Sequence, residues 1–142
     1  MIFASRSDRL FGQMLDALIA LMPIIGIALI TALGPEPIAS VAHNFWLAAL
    51  LLCLAYLFFS DALPGGQSFG KQMLGIAVVD QRSGRPCSAW QSFVRNLLLS
   101  ILGFFDWIFI FGEQHQRLGD MAAGTIVVDA ATVTAGAGAY HQ

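Results

Sequence analysis

Asp16 lies inside an apolar run that extends from Leu10 to Leu33, seven residues after Arg9. A charge placed in hydrocarbon costs roughly 2.5–3.5 kcal/mol on insertion scales. Such a carboxylate is kept where a partner neutralises it or where it does work. Arg9, Gln13 and Asp16 follow at steps of four and three, which puts them on one face of a helix. Ala20 extends that stripe with a small side chain that lets another helix approach. Two chemistries fit. One is an ion or proton site whose carboxylate is held by an arginine. The other is a structural pair, with Arg9 snorkelling to the headgroups.

A second set lies further along. Arg95 and Asp106 are eleven residues apart, which returns to nearly the same helix face but separates them by about 16 Å along the axis. Each therefore needs a partner elsewhere, and Arg95 is placed to reach Asp16. Asp106 is well inside its apolar run, where a carboxyl that exchanges its proton suits a relay and a protonated one is inert. Asp61 closes the second apolar run beside Ser60 and reads as interfacial, facing Lys71 as the alternative. Asp120 precedes Ala-Ala-Gly-Thr, a short helix ending at Gly124.

Other constellations are excluded. Gly65 to Lys71 has the spacing G-x-x-x-x-G-K, but Gln72 stands where a phosphate loop needs a hydroxyl for magnesium, and an apolar span precedes it. The segment reads instead as a reverse turn whose Lys71 meets lipid headgroups. His43, His115 and His141 have no metal-ligand spacing. No nucleophile has a base partner, so the expectation is a protein that is not an enzyme and needs no cofactor.

The elements that must position these groups belong to a membrane. The chain has 142 residues, 57% hydrophobic and 11% charged, with mean hydropathy +0.71; a soluble domain carries about 25% charged residues. Apolar runs at residues 10–33, 45–63 and 93–111 are candidate spans. Pro23 is expected to kink the first, and Trp46 to anchor the second at the interface. The first run is longer than a cleaved signal and holds Gln13 and Asp16, so it is expected to stay in the mature protein. Residues 75–80 and 125–129 read as short strands, with a turn at residues 82–86. Residues 1–129 form a single domain, and the Gly-rich residues 130–142 read as a disordered tail. Cys53 and Cys87 set no disulfide framework and are expected as free thiols. A net charge of −2 excludes a nucleic-acid footprint.

Arg6, Arg9, Lys71, Arg82 and Arg85 flank the runs on one side, and residues 34–44 hold no Lys or Arg, which makes the N-terminus cytoplasmic. Three crossings would leave the C-terminus outside. If the two strands pair, they must instead share one face of the membrane, and the third run would re-enter, broken near Gly103.

Several separated motifs resemble the RDD family of small integral membrane proteins. Arg9 and Asp16 correspond to the family's Arg and first Asp. Gly70 to Val79 fit its Gly-Lys-x-x-x-Gly-x-x-Val-Val segment. Arg95 to Leu98 fit its Arg-Asn-Leu-Leu, and Arg117 to Val128 fit its Arg-Leu-x-Asp-x-x-Ala-Gly-Thr-x-Val-Val. The resemblance covers residues 6–129 and implies an inner-membrane protein, with proton-linked cation transport proposed for some relatives. It marks Arg9, Asp16, Arg95, Asp106 and Asp120 as candidate ion or proton groups, with Asp120 pairing to Arg95 or Lys71 to dock the terminal segment. The expectation is an all-α integral membrane protein of about three transmembrane helices with short strand-like segments at the interface. It would be transporter-like, in a homo-oligomer or larger membrane complex among membrane lipid. The alternative is a non-catalytic scaffold or accessory subunit.

Overall fold

The computed structural model describes residues 2–103 and 117–133. Helix α1 (Arg6–Leu33) starts where the Ser5 hydroxyl accepts the Asp8 amide at 3.1 Å and ends at Gly34. Its 28 residues extend about 42 Å at 1.5 Å per residue. Among the described residues it is the one helix long and apolar enough to cross a membrane, and it remains one helix through Pro23. Its buried positions, Arg9, Gly12, Asp16 and Ala20, form one stripe. The rest is mostly exposed Leu, Ile, Met and Phe, as lipid contact requires.

Helix α2 (Ile38–His43) is a short turn back towards α3 (Trp46–Phe59), which packs on α1 through the small buried residues Ala49 and Cys53. Two 3-10 turns, Ser60–Ala62 and Pro64–Gly66, lead to α4 (Phe69–Met73). Strand β1 (Ile76–Asp80) follows, then α5 (Ala89–Leu102), α6 (Leu118–Ala123) and β2 (Thr125–Asp129). Ser88 and Gln91 form a reciprocal cap at the start of α5. At the end of α6, Gly124 takes the left-handed conformation at φ 63°.

β1 and β2 pair antiparallel, with Val78 opposite Val127 and Ile76 opposite Asp129. The N-terminal segment joins the same sheet: Phe3 bridges to Val128, and the Ala4 amide donates to the Val127 carbonyl at 3.1 Å. The valines are buried on both faces. Val78 and Val127 pack with Ala4, Ile76 and Cys87, and Val79 and Val128 pack with Ile126. The turn after β1 is held by Asp80, whose Oδ1 accepts from the Ser83 amide at 2.7 Å and the Arg82 amide at 3.1 Å. The bond from the Ser83 amide is the main reason its carboxyl drops to about 2.

The two segments expected as strands do pair, which is the condition the sequence set for a re-entrant third run. Strands bonded in one ladder lie on one side of a bilayer, because a ladder cannot pair across it. The start of α1 is tied to the same sheet. Helix α5 ends at Gly103 (φ 52°), the position where the sequence suggested a break. The other element bounds stand close to expectation: α3 begins at Trp46, and both strands lie within the expected segments. Residues 130–133, the start of the expected tail, are helical. The rest of that tail lies outside the described residues.

Both thiols are free, and both are buried. Cys87 sits in the sheet core, and burial pushes its thiol up to about 11. Maleimide is therefore expected to modify Cys87 at least tenfold more slowly than a cysteine placed at exposed Ser83. Equal rates in folded protein would contradict the packing of this face.

A buried ion-pair layer as the candidate functional site

At the sheet end of the helices, seven buried charged side chains converge among the described residues: Arg9, Asp16, Asp61, Lys71, Arg95, Arg117 and Asp120. They come from α1, the first 3-10 turn, α4, α5, the residue before α6, and α6 itself.

Asp16 is not paired to Arg9, as its place on the same helix face suggests. Its carboxylate is enclosed by the segment leading into α4. Oδ1 accepts from the Gly70 amide at 2.8 Å and from the Tyr56 hydroxyl at 2.9 Å, and Oδ2 accepts from the Ser68 hydroxyl. Lys71 Nζ lies 3.4 Å from the same Oδ2. Tyr56 also stacks on Phe69 and accepts the Phe69 amide at 3.2 Å, which fixes the start of α4 against α3. This approach depends on Gly70: a Cβ there would stand 2.5 Å from the Gly12 carbonyl oxygen of α1. The Gly-Lys pair that superficially suggested a phosphate loop is thus a helix-packing device.

Lys71 corrects its expected role at the headgroups. It is 6% exposed and points inward, donating to Asp61 Oδ1, with the Ser68 hydroxyl oxygen at 3.4 Å. Asp61, expected at the interface, is fully buried and does face Lys71. Its other oxygen lies 3.7 Å from Arg95 Nη2 and 3.5 Å from Asn96 Nδ2.

Arg95 pairs with Asp61 and Asp120, and no pair to Asp16 forms. Its Nη2 is 2.9 Å from Asp120 Oδ1, yet none of its guanidinium nitrogens makes an aligned hydrogen bond. Asp120 is the hub of the layer. Arg9 Nη2 donates to its Oδ2, Arg95 meets Oδ1, and Arg117 Nη2 lies 3.8 Å from Oδ1. The Arg117 amide adds a bond to Oδ2 at 3.2 Å, and the Arg117 guanidinium reaches Gln13 on α1. Burial alone would raise the Asp120 carboxyl, but Arg95, Arg117 and Arg9 outweigh it and hold it below the usual carboxylate range. As expected, Asp120 docks the terminal segment through Arg95. Gly119 makes that close, since a Cβ there would be 2.6 Å from the Arg95 carbonyl oxygen.

Four of the five expected site residues, Arg9, Asp16, Arg95 and Asp120, therefore meet in one layer. Asp106 lies outside the described residues. Sequence reasoning assigned no site role to Ser68, Tyr56, Asp61, Lys71 and Arg117. Lys71 and Arg117 stood inside the quoted motifs, and Asp61 ended an apolar run. Ser68 lay within the Gly65–Lys71 segment, and Tyr56 carried no such signal. Chemically the layer is a continuous alternation of charge: Asp16, Lys71, Asp61, Arg95, Asp120, Arg9.

A mostly helical chain with, among the described residues, one helix long and apolar enough to cross a membrane and its charge gathered in one enclosed layer has the make-up of a small membrane protein. The family model described as the RDD family matches residues 3–124. The chain belongs to that family, and the match takes in every residue of the layer. No curated protein and no solved structure matches the chain.

Proposed function

We propose that the chain is a non-enzymatic, multi-pass protein of a bacterial-type inner membrane that handles a proton-linked monovalent cation at the Asp16–Lys71 end of the layer. The N-terminus and sheet face the cytoplasm, a placement supported by Arg6, Arg82 and Arg85 on the sheet side and by the absence of Lys and Arg from residues 34–44. In this reading α1 and α3 cross and the third apolar run re-enters.

The observation that carries the reading is the setting of Lys71. One buried ammonium is surrounded by Asp16 Oδ2, Asp61 Oδ1 and Ser68 Oγ. Oxygen sets of this kind suit hard cations. Lys71 is the tethered occupant, and a proton on Asp16 or an arriving cation competes with it.

A second reading, a scaffold or accessory subunit, is favoured by the half of the molecule away from the sheet. The groove there, between α1, α2 and α3, is about 660 Å³ and is lined by Pro23, Gly26, Ile30, Phe45 and Leu52 among other uncharged residues. Transport by this protein therefore requires a path completed by further copies or partners.

Reconstitution into vesicles holding a pH-sensitive dye tests the choice. A sodium or potassium pulse is expected to move protons with the parent, and Asp16→Asn and Asp106→Asn are each expected to reduce the response at least tenfold while the folded oligomer persists. A parent that moves no protons overturns transport and leaves the scaffold reading. Variants that match the parent overturn the assignment to these carboxylates.

A further inference from the structure

Among the described residues, Lys71 and Arg95 each stand between two carboxylates. Lys71 is bonded to Asp61 and lies 3.4 Å from Asp16. Arg95 lies 2.9 Å from Asp120 and 3.7 Å from Asp61. Asp61 is the acceptor common to both. Arg95 is fully buried, and no aligned hydrogen bond locks its guanidinium to either carboxylate. Ion pairs set by hydrogen bonds resist redistribution; an ion pair held by charge alone follows the charge around it.

We infer that Lys71 and Arg95 form a relay in which the charge on Asp16 sets how tightly Asp120 docks the β2 end of the chain. Asp61 can be neutralised from either side. When Asp16 takes a proton, Lys71 moves wholly onto Asp61. Arg95 is then repelled from Asp61 and committed to Asp120, and α6 with β2 tightens on α5. When Lys71 is drawn to Asp16, Asp61 attracts Arg95 instead. Asp120 then keeps Arg9 and Arg117 but loses its grip on α5. Arg95 is a positioning residue here, acting through the carboxylates on either side of it.

The inference rests on the proposed function only in naming Asp16 as the group where a proton or cation arrives. Its mechanical content is the coupling of Asp16, through α4, to the sheet. Neighbours sharing an ion-pair network show interaction energies large enough to read as such coupling.

Amide hydrogen exchange at Ile126, Val127 and Val128 reads the docking directly, in lipid nanodiscs and without any transport. Asp16→Asn is expected to slow exchange there about three- to tenfold, and Lys71→Met to accelerate it by a similar factor. The opposite signs are the diagnostic, because mere loss of stability accelerates exchange in both. Lys71→Arg, which keeps the charge, is expected to exchange within twofold of the parent. Should Lys71→Met fail to fold, Asp61→Asn replaces it: it frees Arg95 for Asp120 and is expected to slow exchange, and slowing is then the diagnostic, because loss of stability would accelerate it. Acceleration in Asp16→Asn, or unchanged exchange in both variants of a pair, overturns the relay. Slowed exchange with no ion flux in vesicles would keep the relay and remove the transport reading.

Discussion

Asp120→Ala is expected to abolish accumulation of folded protein. The carboxylate it removes is the one on which Arg9, Arg95 and Arg117 converge, and all three remain buried in the layer. Breaking a buried pair by deleting one partner costs about 3–5 kcal/mol. Here three like charges lose their shared counterion at once. Native domains hold only about 5–15 kcal/mol in total. The loss also reaches the fold itself, because Asp120 ties α6 to α1 and α5 and caps the Arg117 amide. Detergent-solubilised Asp120→Ala should therefore elute as aggregate in size-exclusion chromatography where the parent gives a single folded peak. A monodisperse Asp120→Ala peak, melting within a few degrees of the parent, would mean the arginines do not hold the terminal segment. The same carboxyl predicts the acid response. Its folded pKa is depressed, so its contribution is complete above the unfolded value of about 3.9 and is lost as pH falls through the folded value. Stability measured from pH 7 downwards should hold to about pH 4 and decline below it. Asp120→Glu, which keeps the charge, is expected to restore a folded peak.

What the sequence discloses and what it hides divide along local and non-local lines. The extent of α1, the two valine-rich strands and the stop of α6 at Gly124 are written in neighbouring residues: apolar length, β-branched runs, a glycine past the last helical turn. Part of the site was legible too: Asp16 and Arg95 stand out as charges inside apolar runs, and Arg9 and Asp120 fall in the motifs. Their partners were not. Arg9 and Asp16 share a face of α1, yet their true partners stand 111 and 55 positions away. No periodicity records such a pairing, since it is made by α6 and α4 arriving from different directions. Lys71 shows the limit clearly. In sequence it is a lysine in a polar loop, which most often meets water or headgroups. Only the 3-10 turns that fold α4 back against α1 place its ammonium between Asp61 and Asp16. The pairing of the two strands is hidden for the same reason. Hydropathy counts apolar runs, whereas the ladder between β1 and β2 joins segments some fifty residues apart.

Gly70→Ala is expected to be strongly destabilising although it adds a single methyl group. The added Cβ would stand 2.5 Å from the Gly12 carbonyl oxygen, 2.8 Å from Asp16 Oδ1 and 2.9 Å from the Asp16 amide nitrogen. Two of those three atoms are backbone of a 28-residue helix, which cannot yield locally. The only relief is for α4 to lift from α1. That breaks the bond from the Gly70 amide to Asp16, lets Ser68 withdraw, and carries Lys71 out of reach of its carboxylates. Overpacking of a tight contact costs about 1–3 kcal/mol, and a buried carboxylate deprived of its cation adds about 3 kcal/mol or more. Two further glycines calibrate the effect. At Gly12 the nearest atom to an added Cβ is the Lys71 side chain at 3.4 Å, so Gly12→Ala is expected to lose less than about 1 kcal/mol. At Gly26 nothing lies within 4 Å, so Gly26→Ala is expected to gain about 0.5–1 kcal/mol from helix propensity alone. Thermal denaturation in a single detergent should rank them Gly26→Ala above the parent, Gly12→Ala slightly below it and Gly70→Ala far below. The position of Gly70→Ala carries the argument. If it melts with Gly12→Ala, α4 does not press on α1, Asp16 has no reason to meet Lys71, and the oxygen setting around that ammonium is lost as the basis for a cation site.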